Sequence, residues 1–169
     1  MLEDAAQRKD NRVQEGGEYE IVDLYLSLGS NQGDREQNIE NAVSLLNIEL
    51  KTPYKAISSL LETEPWGFES EEKFLNAAVH YQLMLKKGYN PEAEGLMILE
   101  ICKDIERRLG RTIGVEYNEA GERVYHNRPI DIDILLFGEH KIDCPELTVP
   151  HKLMYERDFV MIPLKEIFS

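Results

Sequence analysis

Two aspartates, Asp131 and Asp133, stand in the stretch HNRPIDIDILLF (126–137), inside a run of isoleucine, leucine and phenylalanine with the composition of a buried strand. Successive strand side chains point to opposite faces, so Ile130, Ile132 and Ile134 are expected on one face and both carboxylates on the other. At a rise of about 3.3 Å per residue their Cα atoms lie about 6.6 Å apart, close enough for the two side chains to converge on shared cations. Without a cation they repel and raise each other's pKa. The plainer reading is the polar side of a half-exposed strand, since antiparallel sheets often alternate apolar-in and polar-out. Two features weigh against it: aspartate is a poor strand former, and Arg128 with an arginine-bearing loop precedes the segment, as if an anion were expected beside the cations.

Three further candidates carry a functional and a structural reading side by side. GSNQG, after the first apolar run, could cradle a phosphate, but it lacks the lysine and spacing of a P-loop and the third glycine of a dinucleotide fingerprint, so spacing favours a plain strand-to-helix turn. His151, in TVPH, could donate a proton or bind phosphate; a lone histidine is more often structural. Trp66, between Pro65 and Gly67, could stack on a planar ligand or pin its loop to the body.

These residues sit in a chain of ordinary globular composition. It has 169 residues, 42% apolar and 30% charged, enough for one domain with a real core. No run is long enough to span a membrane, and residues 1–20 have no apolar h-region, so they read as a disordered leader ahead of a single domain at 21–169. Cys102 and Cys144 have no partner at CxxC spacing, which suggests a reduced, cytoplasmic protein. A net charge of -13 argues against a general nucleic-acid binder. A small phosphorylated substrate is still compatible, provided divalent cations bridge its phosphates to carboxylates and a few arginines gather locally.

Periodicity supplies the elements that must position these groups. IVDLYLSL (21–28) alternates as a strand. Asp34 is placed to cap a helix with Gln37 three residues on, and Ile39, Ala42, Val43 and Leu46 form its apolar stripe. YKAISSLLET (54–63) reads as a second strand. FLNAAVHYQLML reads as a third, with Leu75, Ala77, Val79, Tyr81 and Leu83 on one face. Asn90 and Pro91 open a second helix whose Ile98, Ile101, Cys102, Ile105 and Leu109 face inward until Gly110. The segment RTIGVEYNEAGERVYHN is a long polar loop, a length usually reserved for function or disorder. The Asp-bearing strand follows, and then an amphipathic piece, LMYERDFVMIPLKEI. The order strand, helix, strand, strand, helix, strand predicts an α+β, ferredoxin-like βαββαβ core: an antiparallel sheet with helices on one face and long catalytic loops.

Six blocks in this order, LSLGSNQGDREQNIENAVSLL, TEPWG, FLNAAV, IERRLGR, RPIDIDILLFG and LTVPHKLMYERDFVMIPL, resemble the 6-hydroxymethyl-dihydropterin pyrophosphokinases of folate biosynthesis, from about Leu24 to Ile167. The resemblance implies ATP-dependent transfer of pyrophosphate to the hydroxymethyl group of 6-hydroxymethyl-7,8-dihydropterin, giving the pterin diphosphate and AMP. It implies that Asp131 and Asp133 hold two Mg²⁺ ions, and that Arg111, Arg128, His151 and Arg157 face the ATP phosphates or the developing charge. Glu106 falls at a position facing the nucleotide. Thr63, Trp66, Asn76 and Phe159 fall in the pterin pocket, Asn76 at the ring's edge and Phe159 on its face. Where many members carry a second arginine two residues after Arg111, this chain has Ile113, for which Arg123 is a candidate replacement; a common tryptophan is here Tyr125. The implied partners are ATP and a reduced pterin, with no nucleic acid or membrane, in a monomer or weak homo-oligomer.

Two other classes fit parts of the pattern. A nucleotidyl transferase or cyclase can also mount a carboxylate pair on a ferredoxin-like sheet, but it releases pyrophosphate from a nucleotide. A ligand-binding module of the same fold would bind without turnover, and it leaves Asp131, Asp133 and Arg128 unexplained.

Overall fold

The computed structural model describes residues 18–65, 72–110, 119–121 and 129–168, with the backbone alone at 116–117 and 123–124. The elements run β1 (Tyr19–Ser30), α1 (Arg35–Glu49), β2 (Ala56–Ile57), β3 (Leu61–Thr63), β4 (Phe74–Lys86), α2 (Pro91–Arg108), β5 (Glu116–Tyr117), β6 (Arg123–Val124), β7 (Asp131–Phe137), β8 (Ile142–Asp143), β9 (Thr148–Val149), a 3₁₀ turn (Met154–Glu156) and α3 (Asp158–Ile167). The expected leader falls largely on residues 1–17, outside the described residues.

The main sheet has β4 and β1 at its centre, β7 beside β1, and both β2 and β3 beside β4, with every pairing antiparallel. This is the ferredoxin-like arrangement that the element order predicts. Even-numbered β1 residues Val22, Leu24, Leu26 and Leu28 enter one core with Leu75, Ala77, Val79, Tyr81 and Leu83 of β4. The expected stripe of α1, Ile39, Ala42, Val43 and Leu46, is buried against it, each of the larger side chains contributing about 1.5–3 kcal/mol. Asp34 caps α1 by accepting from the Gln37 N–H at 3.1 Å, and Asn90 caps α2 through the Ala93 N–H at 2.9 Å. In α2, Ile98, Cys102 and Ile105 are buried as expected, while Ile101 and Leu109 pack at the margin.

The expected strand over 54–63 is broken in two. The reason is side-chain competition for the ladder: Ser58 Oγ accepts the Ala78 N–H at 2.9 Å, and the next residue leaves the sheet, Ser59 giving its N–H and hydroxyl to Glu166 of α3 at 3.0 and 2.8 Å. Strand β7 also changes phase. Leu26 pairs with Ile134 and Tyr25 with Leu136, so Leu135 is an extra, bulged residue. Phe137 consequently returns to the helix-covered core, and Leu135 enters a second one.

That second core lies on the opposite face. The two long helices share one face as the sequence predicts, whereas α3 covers part of the other, burying Val160 and Leu164 against Tyr25, Ala78 and Leu135. There the Tyr25 ring stacks on His80 at 4.2 Å. Among the described residues no helix is long and apolar enough to cross a membrane.

Candidate active site

Helix α3 covers part of this second face, over Tyr25, Ala78 and Leu135. Cross-strand register decides what stands there: Asn76 of β4 and Asp131 of β7 both pair with Gly29 of β1, and Asp133 pairs with Ser27. Directly paired residues share a face, so Asn76, Gly29, Asp131, Ser27 and Asp133 belong to one surface, with Leu61 of β3 beyond Asn76 in the same row.

The Asn76 side chain is 2% exposed and its orientation is determined by its partners. Nδ2 donates to the Leu61 carbonyl at 3.0 Å and to Thr63 Oγ1 at 2.7 Å. A carbonyl can only accept, so the atom beside it is the amide nitrogen, and both of its hydrogens are engaged. The Oδ1 acceptor is left toward Gly29, 3.5 Å from where a β-carbon on that glycine would stand. Thr63 spends an acceptor lone pair on Asn76 and keeps its O–H to give. The strand pair that holds this arrangement is braced by α1: Arg35 forms an ion pair with Glu62 at 2.8 Å and donates to the Lys73 carbonyl at 2.9 Å. The hydrogen bond from Arg35, and then its charge, hold the Glu62 carboxyl below the usual range.

Asp131 and Asp133 are partly exposed on β7, and the intervening Ile132 is buried in the helix-side core. β7 is an edge strand of the main sheet, so alternate N–H groups point away from β1. The Ile132 N–H is taken by Glu106 of α2, whose Oε2 accepts it at 2.9 Å. Glu106 is 7% exposed, and this bond fastens the aspartate-bearing strand to α2 midway between the two carboxylates. Beneath it Cys102 is fully buried; burial, then the charges of Glu106 and Asp133, push its thiol far above the ordinary range, so it is an inert core group.

A second wall comes from the turn after β9. The β8–β9 hairpin seats Ile142 and Leu147 over Gly95 of α2, where a β-carbon would stand only 2.8 and 3.1 Å from their side chains. It delivers the cis Val149–Pro150 turn and His151, whose backbone N–H donates to Leu135 O at 3.1 Å. The His151 ring accepts from the Leu153 N–H at Nδ1, 3.4 Å away, so Nε2 bears the proton and lies 4.0 Å from Asp133 Oδ1. Burial, and then the neighbouring Arg157 charge, lower the His151 pKa against the opposing pull of Asp131. The ring is therefore a neutral N–H donor at pH 7. The Arg157 guanidinium lies 5.6 Å over the Phe159 ring at the start of α3.

Of the residues singled out from the sequence, Asn76, Thr63, Asp131 and Asp133 are brought to this face, with His151 beside Asp133 and Arg157 and Phe159 in the adjoining wall. Glu106 reaches it through the backbone of Ile132. Trp66, Arg111, Arg128, Ile113 and Tyr125 lie outside the described residues, as does the side chain of Arg123. GSNQG is a strand-to-helix turn: Ser30 accepts from Asn38 at 3.2 Å, Asn31 donates to the Glu72 carbonyl at 3.3 Å, and Gly33 turns the chain at φ +71°. Sequence reasoning missed Phe74, whose ring edge reaches 3.5 Å from the Gly29 β-position. Its signal was available, since two residues before Asn76 on one strand is the same face.

The fold and site define an α+β enzyme of the ferredoxin-like class, with a carboxylate pair and an oriented amide on the sheet face that α3 partly covers. The sequence model of the 7,8-dihydro-6-hydroxymethylpterin-pyrophosphokinase (HPPK) family matches residues 25–169, and the chain belongs to that family. It is 45% identical over 145 residues to the 2-amino-4-hydroxy-6-hydroxymethyldihydropteridine pyrophosphokinase of Porphyromonas gingivalis, covering 85% of this chain and 89% of the relative. It is 41% identical over 143 residues to the Bacillus subtilis enzyme of the same name, covering 85% and 76%. The crystal structure of Plasmodium falciparum HPPK-DHPS superposes with a TM-score of 0.50 at 13% identity, over 89% of this chain and 40% of that one, a likeness of fold.

Proposed function

We propose that the sheet face bearing Asn76, Asp131 and Asp133 is where this chain carries out its family's reaction, with Asp131 and Asp133 at the phosphates and Asn76 at the pterin. As a member of the family, the enzyme transfers the pyrophosphoryl group of ATP to the hydroxymethyl group of 6-hydroxymethyl-7,8-dihydropterin in folate biosynthesis; removing that group from ATP leaves AMP. The observation that carries the placement is the row Asn76, Gly29, Asp131, in which a buried, oriented acceptor and a carboxylate stand two strands apart on one surface.

The donor set fits Mg²⁺. Two carboxylates are hard oxygen ligands, partly exposed, and Mg²⁺ is usually held by one or two carboxylates plus substrate phosphates and water. Among the described residues no group of three or more His, Cys, Asp or Glu could hold an ion by itself. Asp131 and Asp133 would hold the ions, which would supply charge neutralisation at the triphosphate. Neutral His151 offers its Nε2–H to a phosphate oxygen, and Arg157 adds fixed positive charge beside it. Arg111 and Arg128 are assigned to the phosphates on the resemblance of their motifs. Asn76 Oδ1 accepts from a ring N–H of the pterin, Thr63 donates its hydroxyl, Phe159 stacks on the ring, and Trp66 completes the pocket. Fixing both substrates on one rigid sheet removes most of the entropy of bringing them together. The reading keeps the enzyme cytoplasmic and a monomer or weak homo-oligomer.

Titration calorimetry with a non-hydrolysable ATP analogue, with and without Mg²⁺, and AMP release with and without the pterin test the assignment together. Nucleotide binding that needs Mg²⁺, with AMP formed only when pterin is present, is expected. Tight binding of the analogue in the absence of divalent cations would overturn the role of the aspartates.

A further inference from the structure

The turn between β1 and α1 reads GSNQGDR, and two of its side chains reach across to the strands that hold Asn76. Asn31 donates through Nδ2 to the Glu72 carbonyl at 3.3 Å. Arg35, the first residue of α1, divides its guanidinium: Nη1 donates to the Lys73 carbonyl at 2.9 Å and Nη2 to Glu62 Oε2 at 2.8 Å. The fork therefore bridges β3 to the residue that leads into β4. A cation is disfavoured at the N-terminus of a helix, where the backbone dipole is already positive, so the helix itself is not what the arginine serves. The ion pair also adds little to global stability, because both side chains are partly exposed. The neighbouring pair of Lys73 and Glu64, at 3.5 Å, is more exposed still.

Strand alternation decides what Arg35 holds. Glu62 pairs with the core residue Leu75, so its side chain leaves β3 on the α1 side. The residues flanking it, Leu61 and Thr63, are the two that offer a carbonyl and a hydroxyl to the Asn76 amide nitrogen, at 3.0 and 2.7 Å. Three registered pairs join β3 to β4, and so short a strand opens readily at the edge of a sheet. We infer that Arg35 is a positioning residue for the pterin: by gripping Glu62 between the two partners of Asn76, and the Lys73 carbonyl opposite, it keeps β3 closed on β4 and the Asn76 acceptor turned toward the substrate. Arg35 does this from the opposite face of β3, through Glu62. Without the grip Leu61 and Thr63 swing away from the amide, which then rotates and presents its N–H groups as readily as its oxygen. The two carboxylates stand on β7, fastened separately to α2 by Glu106, so the nucleotide end is spared. The inference rests on the placement of the pterin at Asn76 proposed above.

Arg35→Met, which keeps the length of the side chain and removes its donors, tests this beside Arg35→Lys, Glu62→Met and the Arg35→Met/Glu62→Met double variant. In the ligand-free proteins, NMR follows hydrogen exchange at the Asn76 side-chain NH₂, assigned by its loss in Asn76→Ala. Calorimetry with Mg²⁺ and a non-hydrolysable ATP analogue gives the affinity for 6-hydroxymethyl-7,8-dihydropterin, and KM for each substrate and Tm are recorded. Arg35→Met should exchange faster at Asn76 and bind the pterin about fivefold or more weakly, with a matching rise in its KM, while analogue affinity stays within about twofold and Tm within about 4 °C of the parent. Arg35→Lys should recover part of the pterin affinity, and the double variant should lose less than the two single losses combined, as partners in one contact do. Parent-like exchange and pterin affinity in Arg35→Met, or losses that simply add, would overturn the role of Arg35. A large fall in Tm with equal weakening of both ligands would show that the arginine holds the fold as a whole, which also overturns it. Faster exchange in Arg35→Met together with parent-like pterin affinity in Asn76→Ala would show that Arg35 orients an amide the pterin does not use, sinking the substrate placement and the inference with it.

Discussion

Asparagine at Asp131 or Asp133 separates a metal-binding pair from a merely polar strand face, because the two readings differ in sign for stability and in magnitude for turnover. The substitution removes one charge and conserves volume. Two carboxylates at about the 6.6 Å that separates residues two apart along a strand at their Cα atoms would repel by about 0.6 kcal/mol at the dielectric of water and about 2.5 kcal/mol at an effective value of 20. Opposing this at Asp133 is the His151 contact at 4.0 Å, between side chains 22% and 33% exposed. Partly exposed pairs of this kind contribute about 0–1 kcal/mol, and the lowered His151 pKa keeps its ring uncharged at neutral pH. From these two interactions the balance for the ligand-free protein is close to zero or stabilising, and since 1 kcal/mol shifts Tm by about 2–4 °C at this size, each variant should melt within about 4 °C of the parent or above it. Turnover should behave quite differently. Losing one charged ligand from a site that stabilises developing charge should lower kcat by about 10²–10³ or more. Differential scanning calorimetry without Mg²⁺ or nucleotide, beside AMP release at saturating substrates, reads both quantities. Parent-like turnover in both variants would refute the metal assignment, and a large drop in ligand-free Tm would show that the carboxylates hold the fold.

Three further outcomes follow from particular contacts. Phe159→Ala should raise the pterin KM far more than the ATP KM, because on the proposed placement its ring stacks on the pterin; equal effects on the two would remove Phe159 from the pterin pocket. Glu106→Ala leaves the buried Ile132 N–H without its acceptor and should cost about 1–3 kcal/mol in urea denaturation, whereas Glu106→Gln, which keeps an acceptor, should recover most of that stability; equal stability of all three proteins would exclude an anchoring role. The Glu166 carboxyl is held below its ordinary range by the Ser59 N–H and hydroxyl, so its contribution is present above the unfolded value of about 4.3 and is lost as pH falls through the lower folded value. The Tm difference between the parent and Glu166→Gln should accordingly be present at pH 7 and shrink below about pH 4, and a pH-independent difference would refute the linkage.

What the chain alone made legible was local and periodic. Asp34 with Gln37, and Asn90 with Pro91, announce both long helices, because an N-cap needs only its own next few residues. Alternation put Leu75 to Leu83 on a core face and Asp131 with Asp133 on the other, because a strand's two-residue period is independent of its partner. The element order sufficed for the ferredoxin-like sheet, and the ordered motifs for the family. Tertiary structure alone decided the rest. The bulge at Leu135, the break after Ser58 and the Glu106 bond to the Ile132 N–H depend on which distant group meets each polar atom, a choice that periodicity does not carry. The motif resemblance assigned Asn76 to the pterin's edge but not which way its amide turns; it became an oriented acceptor because β3 brought the Leu61 carbonyl and Thr63 hydroxyl to its nitrogen. The surroundings of the proposed site were decided in the same way: the sequence put two carboxylates on a face, and the docking of α3 over Tyr25, Ala78 and Leu135 determined which part of that face a helix covers, because burial is a property of surfaces that meet across the whole chain.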